Sequence, residues 1–367
     1  MTQSDITMPS DKIRVSVMIP AKNEELNLPD CLESVQRADE IFVVDSGSTD
    51  STKEIAERYG ATVVQFKYNG EWPKKKNWAL SNLKFKNNWV LIVDCDERIP
   101  PKLWQEIKEA INNPDCTGYY IKRKVIFFGH WVRYGGRYPD WNMRLFQHKK
   151  GRYEKLVKSV PNTGDNEIHE HIVFPKDVEE FDESFESGGD QLEVEVEPNV
   201  GYLETDMLHE DNRDFYQWLK RHNRYSNWEA QVYLDIIEDR RYTEKILANL
   251  DKFLKKGPIK TRILKKIWVR WVPCKPIVRL IIFYIFKFGF LDGRVGFIYA
   301  LLMSQYEYDI GVKLYELRSR HAMKLEGTSD NERKELRPSE PESNSDDDGE
   351  ERSLEAKHPP ISESISQ

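Results

Sequence analysis

The sequence has little cysteine and no long apolar run. Its four cysteines, Cys31, Cys95, Cys116 and Cys274, lie far apart among 367 residues and form no Cys-x-x-Cys pair. Neither a disulfide framework nor a zinc ribbon is indicated, and a reducing compartment is expected. The first residues contain no apolar stretch typical of a signal peptide, and no run reaches the ~18 apolar residues of an ordinary spanning helix. We therefore expect the chain to stay on the side of the membrane where it is made.

Charge is unevenly distributed along the chain. The whole sequence has 55 Lys and Arg against 62 Asp and Glu, a net charge of −7. Residues 163–197 and 326–367 contribute −12 and −8, whereas residues 252–279, called here the basic stripe, hold ten Lys or Arg and no acid. The acidic total therefore says little about partners, and the basic stripe says more.

The first 115 residues alternate short apolar runs with helical patterns. The runs at residues 13–19, 41–44, 61–66 and 89–93 predict strands, and helices are predicted at residues 29–37, 50–60, 74–83 and 100–112. Nearly continuous apolar strands joined by helices indicate an α/β fold whose parallel sheet is covered on both faces. Such sheets bind ligands beyond the carboxyl ends of their strands, which directs attention to residues 20–25, 45–50 and 94–98.

The remainder of the chain divides by composition. Residues 117–210 resemble antiparallel strands and long loops, with a solvated acidic loop at 177–190, and helices are predicted at residues 211–237 and 244–255. The tail has almost no aromatic residues and cannot bury enough surface to order itself. The predicted divisions are a disordered N-terminus (1–11), an α/β domain (12–240), a basic and apolar helical region (241–321) and a disordered acidic tail (322–367).

The sharpest chemical signal is the segment VDCDER at residues 93–98, directly after a predicted strand. Asp94 and Asp96, at positions i and i+2, can address one divalent cation. Mg²⁺ and Mn²⁺ prefer oxygen ligands and often keep substrate phosphates among them. A surface loop is the commoner explanation of an isolated Asp-x-Asp, but the position after a buried strand favours the metal.

Two more polar clusters follow predicted strands. In VDSGSTDST at residues 44–52, Asp50 is a plausible helix cap, while Asp45 can accept hydrogen bonds from a base or ribose. IPAKNEE at residues 19–25 follows the first strand. Three clusters at the exits of three strands of one sheet would converge on one crevice. That convergence is a stronger argument than any single cluster.

Together these segments resemble family 2 glycosyltransferases of the GT-A fold. The resemblance rests on VSVMIPAKNEE, IFVVDSGSTDST, Gly70 followed by KKKN at residues 74–77, and WVLIVDCDERIP. It extends to the bacterial lipopolysaccharide-core β-1,4-glucosyltransferase branch through WNMRLF, IHE and FGFLDG, which end at residues 146, 170 and 293. The matching motifs are dense over the first 100 residues and sparse to about residue 310.

The resemblance implies a Rossmann-like nucleotide-sugar domain and assigns roles by position. The implied nucleotide-binding positions are Pro20, Glu24, Asp45, position 47 with an undefined role (Gly47), Lys76, Asn77 and Asp94. Asp94 and Asp96 would hold Mg²⁺ or Mn²⁺, and either His169 or His171 is an open candidate for a further ligand. Lys76 stands where family members often have Arg, and it lacks the bidentate fork of that residue. Ser46 replaces a second Asp that many relatives carry.

Inverting transfer needs a base that takes the proton of the acceptor hydroxyl. The candidate is Glu170 in the segment IHEH, although it can equally be a strand-edge acid among acidic neighbours, and another acid within residues 163–210 stays open. His209 is expected to be a structural histidine. Arg144 and the aromatic residues can line an acceptor cleft, the alternative being core packing: Trp131, Tyr134, Tyr138 and Trp141.

The basic stripe mixes tryptophan with lysine and arginine, as an interfacial helix on anionic lipid does. Each base near such a surface adds about 1 kcal/mol of binding. The alternative is a basic amphipathic helix packed on the domain, and nucleic acid is not favoured because no nucleic-acid fold signature accompanies the stripe. The predicted membrane-binding residues are Lys265, Lys266, Trp268, Arg270 and Trp271.

The resemblance therefore implies an inverting, metal-dependent hexosyltransferase, peripheral to the cytoplasmic face of the bacterial inner membrane. It would move a hexose from a nucleotide-sugar, most simply UDP-linked, to a lipid-anchored saccharide such as a lipopolysaccharide core. Transfer to polyprenyl phosphate is the alternative reaction. A non-catalytic, membrane-tethered nucleotide-sugar-binding protein is the alternative from another class. The sugar, the acceptor hydroxyl and the oligomeric state stay open.

Overall fold

The computed structural model describes most of the chain between residues 12 and 335. The described residues are 12–70, 72–113, 115–154, 171–175, 178, 199–238 and 258–335, without the side chains of 258–263, 266 and 321–335. The proposed base Glu170, its neighbour His169 and most of the predicted acidic loop lie outside these residues.

The N-terminal part has the predicted alternation of strands and helices. Its elements are β1 (Ile13–Ala21), α1 (Leu28–Ser34), β2 (Ala38–Asp45), α2 (Thr52–Arg58), β3 (Thr62–Gln65), α3 (Lys75–Asn82), β4 (Trp89–Ile92), β5 (Glu97–Arg98) and α4 (Pro101–Ala110). All four predicted strands and all four predicted helices are confirmed, with ends shifted by a few residues. The short β5 was not predicted, because a two-residue strand has no apolar periodicity of its own.

The second part adds further strands and then helices. They are β6 (Gly118–Phe127), β7 (His130–Trp131), β8 (Asp140–Gln147), β9 (Arg152–Tyr153), β10 (Ile172–Val173), β11 (Val200–Glu210), α5 (Phe215–Glu238), α6 (Pro258–Trp271), α7 (Lys275–Ile281), a π-helical turn (Ile282–Phe286), a 3₁₀ turn (Gly289–Asp292) and α8 (Gly293–Glu335). Helix α8 includes residues 322–335, the first part of the predicted disordered tail. Residues 322–335 include Lys, Glu, Met and Arg, which favour the propagation of a helix that has already begun.

One large sheet carries both parts, with the strand order β3-β2-β1-β4-β8-β6-β11-β5 and with β7 paired to β6. Strands β1 to β4 pair with one another in parallel, as predicted. Strand β8 is antiparallel to both β4 and β6. Strand β11 is parallel to β6, which departs from the antiparallel arrangement expected for residues 117–210. The carboxyl ends of β1, β2 and β4 therefore lie side by side.

Apolar side chains cover both faces of this sheet. On one face, Leu32 of α1, Ile55 of α2 and Ile107 of α4 pack with alternate residues of the strands. On the other, Leu80 of α3 packs with residues such as Ile92 and Phe146. The three-layer arrangement confirms the predicted α/β fold and explains why the strands are apolar throughout.

The C-terminal helices meet at the buried carboxylate of Glu307 on α8. It accepts hydrogen bonds from the hydroxyl of Tyr233 (3.0 Å) and from Nε1 of Trp268 (3.0 Å), and it pairs with Nη2 of Arg279 (2.6 Å). These donors belong to α5, α6 and α7. One carboxylate therefore ties four helices together, and its charge is compensated as a buried charge must be.

Three of the five predicted membrane-binding side chains are used inside the chain. Nζ of Lys265 pairs with Glu229 at 2.9 Å, Trp268 donates to Glu307, and Nη1 of Arg270 donates to the backbone of Ile236 at 3.3 Å. Trp271 is 56% exposed, and the Lys266 side chain lies outside the described residues. Within the described part of the chain, no helix combines the length and apolar character that crossing a bilayer requires.

The space around two glycines, Gly201 on β11 and Gly311 on α8, predicts opposite effects for their Gly→Ala substitutions. A Cβ at Gly201 would lie 2.3 Å from the ring of Tyr119, whose hydroxyl is held by the carbonyl of Ala110 at 3.0 Å. Gly201→Ala should lower the free energy of unfolding by about 1–3 kcal/mol. Gly311→Ala on α8, where a Cβ meets nothing within 4 Å, should raise it by up to about 1 kcal/mol. Urea denaturation measures both, and equal effects would contradict this packing.

Candidate active site

Hydrogen bonds join the exits of β1 and β2. The backbone N–H of Asn23 donates to Oγ of Ser48 at 2.8 Å, and that of Thr49 donates to Oδ1 of Asn23 at 2.8 Å. Buried Asp45, at the end of β2, accepts from Oγ of Ser48 at 2.5 Å and from Nε2 of Gln65 at 2.9 Å. The predicted polar clusters at residues 19–25 and 44–52 therefore form one rim.

Asp94 follows β4 and is held between two cations. Nζ of Lys76 lies 3.0 Å from its Oδ1, and Nη2 of Arg144 lies 2.6 Å from its Oδ2. Burial by itself favours the neutral acid, but Arg144 and Lys76 outweigh it and hold the pKa of Asp94 well below its ordinary value. The same Arg144 reaches Oε1 of buried Glu97 at 2.5 Å. Asp94 is therefore ionised and already compensated.

Asp96 is held by a different set of cations. Nδ1 of His209, on β11, lies 3.4 Å from its Oδ1, and guanidinium nitrogens of Arg213 and Arg221 each lie 3.7 Å from its Oδ2. Burial opposes ionisation, but His209 and Arg213 outweigh it and keep the pKa of Asp96 low. Burial likewise disfavours the imidazolium, yet Asp96 raises the pKa of His209. The pair is therefore a charge-assisted contact between the segment that follows β4 and strand β11.

Glu24 connects the exit of β1 to the same arginine. Its carboxylate accepts from Nη1 of Arg213 at 2.9 Å and from Nδ2 of Asn27 at 3.0 Å. Burial raises the pKa of Glu24 to about 7, with Arg213 opposing the change and Asp96 reinforcing it. Nε of Arg213 also contacts Asp211 at 2.8 Å. Arg213 therefore bridges three carboxylates contributed by β1, β4 and the segment after β11.

We call these residues the carboxylate cluster. Five carboxylates face four permanent cations and an imidazole whose pKa is raised. The formal charges nearly cancel, and the polar groups converge beyond the carboxyl ends of β1 and β4, where α/β sheets bind ligands. The members are Glu24, Asp94, Asp96, Glu97 and Asp211 with Lys76, Arg144, Arg213, Arg221 and His209.

The cluster has the donor types that a divalent cation prefers. Asp94 and Asp96 offer carboxylate oxygens, and Nδ1 of His209 is a buried nitrogen without a well-aligned hydrogen bond within the described residues. No three His, Cys, Asp or Glu side chains of the described residues stand together as a preformed metal site. A cation at Asp94 and Asp96 would therefore replace side-chain cations. Among the histidines, His209 lies at Asp96, whereas His171 is exposed beside β10.

Lys76 and Asn77 differ in what they contact. Lys76 reaches Asp94, and its Nζ lies 5.3 Å from the centroid of the Tyr153 ring. The amide of Asn77 donates to the carbonyl of Tyr153 at 2.7 Å and accepts from its N–H at 2.8 Å. Asn77 therefore fixes β9 beside α3, and a contact with a nucleotide stays a prediction for both residues.

Three of the four proposed acceptor aromatics take part in two ring pairs near β6 and β11, and the second pair includes Tyr202, which was not predicted. Trp131 packs edge-on against Tyr138, with ring centroids 5.2 Å apart, and Trp141 packs edge-on against Tyr202 at 5.0 Å. Cations flank both pairs, since Nζ of Lys124 lies 4.7 Å from the Trp131 ring and Nζ of Lys122 lies 5.3 Å from the Trp141 ring. The Tyr202 ring is 53% exposed, so this aromatic surface remains accessible.

Sequence reasoning missed part of the cluster and placed one residue differently. Arg144 was grouped with the acceptor aromatics, but it lies against Asp94 and Glu97. Arg213 and Arg221 were not predicted, although the charged segment DNRD at residues 211–214 follows a strand as the other clusters do. That position, at the start of a helix after a strand, was the signal available.

Residues 16–166 match the sequence model of glycosyl transferase family 2. Over these residues the chain is similar to family 2 glycosyltransferases. The match includes β1 to β4 with Asp45, Asp94 and Asp96, and it also includes Arg144. His209, Arg213 and Arg221 lie beyond it, so the C-terminal half of the carboxylate cluster comes from residues outside the matched part of the domain.

Relatives of the glycosyltransferase domain occur in several bacteria. An uncharacterized glycosyltransferase of Rickettsia typhi is 34% identical over 45% of this chain and 55% of the relative. The lipopolysaccharide core biosynthesis glycosyltransferase LpsC of Rhizobium meliloti is 30% identical over 44% of this chain and 58% of the relative. The chain thus spans a little over half the length of these curated relatives.

Solved structures with local similarity include glucosyl-3-phosphoglycerate synthase of Mycobacterium tuberculosis, crystallised with Mn²⁺, UDP and glucosyl-3-phosphoglycerate. It is 25% identical, with a TM-score of 0.25 over 31% of this chain and 44% of that one. The family match and the curated relatives agree with the predicted resemblance to family 2 glycosyltransferases.

The raised pKa of Glu24 predicts a pH-dependent stability. Folded Glu24 holds its proton up to about pH 7, whereas its ordinary pKa is 4.5. Folding therefore takes up a proton between these values, and the free energy of unfolding should fall by up to about 1.4 kcal/mol per pH unit as pH rises through this window. Glu24→Gln should remove this part of the slope in urea denaturation.

His209→Gln is the matched control for this prediction. The His209 pKa is raised from 6.5, so its contribution is complete below that pH and is lost only as pH rises through the higher folded value. The variant should keep the slope of the wild type between about pH 4.5 and 6. A Glu24→Gln profile parallel to that of the wild type would contradict the assignment.

Proposed function

We propose that this protein transfers a hexose from a nucleotide-sugar, most simply UDP-linked, to a lipid-anchored saccharide. The observation that carries the proposal is the carboxylate cluster. In it, residues that follow β1 and β4 meet Arg213, just before α5, and Arg221 of α5 at the carboxyl-terminal edge of the sheet. The match to glycosyl transferase family 2 supports the reaction class. The description of LpsC as a lipopolysaccharide core enzyme supports a saccharide acceptor.

The cations of the cluster suit a diphosphate. Lys76, Arg144, Arg213 and Arg221 are paired with carboxylates, and each can turn to phosphate oxygens of an arriving donor, which arginine binds through two parallel hydrogen bonds. Asp45, Glu24 and the backbone around Pro20 line the rim where base and ribose would lie. The chain thus supplies both signs of charge before the donor arrives, and little net charge need be desolvated on binding.

Asp94 and Asp96, with His209 beside them, are the residues that would hold Mg²⁺ or Mn²⁺. Such a cation offsets the charge that develops on a leaving diphosphate. We propose His209 as the further metal ligand, for which the sequence left His169 and His171 open. The part of this chain in catalysis is to keep both carboxylates ionised, which the neighbouring cations achieve by lowering their pKa values.

Glu170 is our proposed base for the acceptor hydroxyl. The acceptor would lie on the aromatic surface, because the C–H faces of sugars stack on rings such as Trp131 and Trp141. Lys122 and Lys124 beside these rings suit an acceptor that carries phosphate or carboxylate groups. Transfer to polyprenyl phosphate is the alternative reaction, which the same cations would also accommodate. A purely binding role is less favoured, because it has no need of a balanced cluster of ten polar side chains.

Asp96→Asn should reduce turnover of labelled UDP-sugar by at least about 10²-fold, because it removes a carboxylate that would hold the divalent cation at the leaving diphosphate. The assay contains Mg²⁺ or Mn²⁺ and extracted lipid acceptors, and chelation of the metal should have a similar effect. Asp115→Asn, at an exposed aspartate away from the cluster, is the matched control and should keep full activity.

Product analysis in the same assay separates the alternatives. Label in lipid-linked saccharide supports the proposal, and label in polyprenyl phosphate sugar supports the alternative reaction. Unchanged turnover in Asp96→Asn, with wild-type melting behaviour, would contradict the mechanism. Absence of turnover with every nucleotide-sugar would favour the binding role.

A further inference from the structure

We propose that the exposed apolar surface of residues 277–301 seats the protein on an anionic lipid bilayer. This surface, called here the apolar face, consists of outward side chains of α7, the π-helical and 3₁₀ turns, and the first part of α8. It differs from the membrane contact predicted from the basic stripe, whose Lys265, Trp268 and Arg270 contact α5 and α8.

The turns between α7 and α8 expose large apolar side chains one after another. Phe286 is 70% exposed, Phe288 and Leu291 are each 55% exposed, and Phe290 is 45% exposed. Scattered single apolar residues are normal on a protein surface, but a contiguous group of this size marks an interaction site. Here four such residues occupy six consecutive positions.

The helices on either side extend this surface. On α7 and the π-helical turn, Ile277, Ile281 and Ile285 are 61%, 40% and 54% exposed, and their spacing of four places them on one side of the helix. On α8, Phe297 and Leu301 are 44% and 48% exposed with the same spacing. Two helices and the turns that join them therefore present apolar side chains to solvent.

The charges on the apolar face are positive. Lys287 and Arg294 are exposed between its phenylalanines, and no acidic residue of the described chain pairs with either. The sequence contains no Asp or Glu from residue 252 to residue 291. The next acid, Asp292, is buried and accepts a hydrogen bond from the N–H of Tyr134 at 2.8 Å. Aromatic and aliphatic residues interleaved only with bases suit insertion among anionic headgroups.

The apolar face is firmly joined to the loop between β7 and β8. The N–H of Gly135 donates to the carbonyl of Lys287 at 2.9 Å, and Tyr134 is held by Asp292. A Cβ at Gly296 would lie 2.1 Å from the carbonyl oxygen of Gly289, so the 3₁₀ turn and α8 are in backbone contact. Docking of this face would fix the loop against the lipid surface.

This loop follows Trp131, one of the acceptor aromatics. A bilayer beneath the apolar face would therefore bring a lipid-anchored saccharide to the aromatic surface without removing its anchor from the membrane. This consequence rests on the proposed function, whereas the docking itself can be measured without turnover.

The native cysteines allow a direct test with the whole protein. Cys274, just before α7, is exposed, while Cys31, Cys95 and Cys116 are buried. An environment-sensitive thiol dye on Cys274 should brighten and shift to the blue with vesicles containing anionic phosphatidylglycerol, and much less with vesicles of phosphatidylcholine alone. Flotation of unlabelled protein with the same vesicles gives the partition coefficient.

Substitutions then identify the face. Phe286→Ser with Leu291→Ser should lower the partition coefficient by roughly tenfold or more, since two large apolar side chains no longer enter the bilayer. Lys287→Gln with Arg294→Gln should lower binding only to anionic vesicles. Tyr216→Ser on α5, a side chain that is 67% exposed, is the matched control and should bind as the wild type does.

Three outcomes would overturn the proposal. The first is wild-type binding by the Phe286→Ser, Leu291→Ser variant, and the second is loss of binding only when Lys265 and Lys266 are neutralised. The third is a wild-type protein that is a dimer in light scattering, does not bind vesicles, and dissociates when Phe286→Ser and Leu291→Ser are introduced. A second copy of the chain would then cover the face. UDP release from donor measured in the same samples reports separately on the transfer chemistry.

Discussion

Charge compensation in the carboxylate cluster is the constraint on which the site depends. Carboxylates at the exits of β1 and β4 are largely removed from water, which is costly unless cations and hydrogen bonds compensate them. Lys76 comes from α3, Arg144 from β8, and Arg213 and Arg221 from the segment around the start of α5. The strand order brings these distant parts of the chain together, because β8 lies next to β4 and β11 pairs with β5 at the edge of the sheet. The proposed binding site is thus also a structural joint.

The same constraint links the glycosyltransferase domain to the helical region. Helix α5 contributes Arg213 at the loop that precedes it and Arg221 within it, while its far end packs on α6 and α8 around Tyr233 and Ile236. There a second compensated carboxylate, Glu307, holds the helices together. The apolar face belongs to this helical region and is joined to the β7–β8 loop. The proposed donor site, the proposed acceptor surface and the proposed membrane contact are therefore parts of one connected framework.

The sequence predicts the α/β domain well because its signals are local. Apolar runs identify β1, β2 and β4, and the residues after them identify Asp45, Asp94 and Asp96. The partners of these carboxylates depend on pairings across the chain, such as β8 with β4 and β11 with β5, and no local pattern shows that His209 reaches Asp96. Composition also does not show that Lys265, Trp268 and Arg270 of the basic stripe form contacts within the chain. Which basic residues face α5 and α8 depends on the helix packing around Glu307, while the exposed phenylalanines follow a turn that periodicity does not reveal.

In the proposed mechanism, side-chain cations occupy the carboxylates until a donor diphosphate draws them away. Calorimetric titration of Mn²⁺ into the protein, with and without saturating UDP, tests it most directly. We expect weak Mn²⁺ binding in the absence of UDP and at least about tenfold tighter Mn²⁺ binding in its presence. This ratio corresponds to a coupling free energy between the two ligands of about 1.4 kcal/mol or more. We also expect Asp96→Asn to abolish the coupling. Equal Mn²⁺ affinity with and without UDP in the wild type would contradict the account.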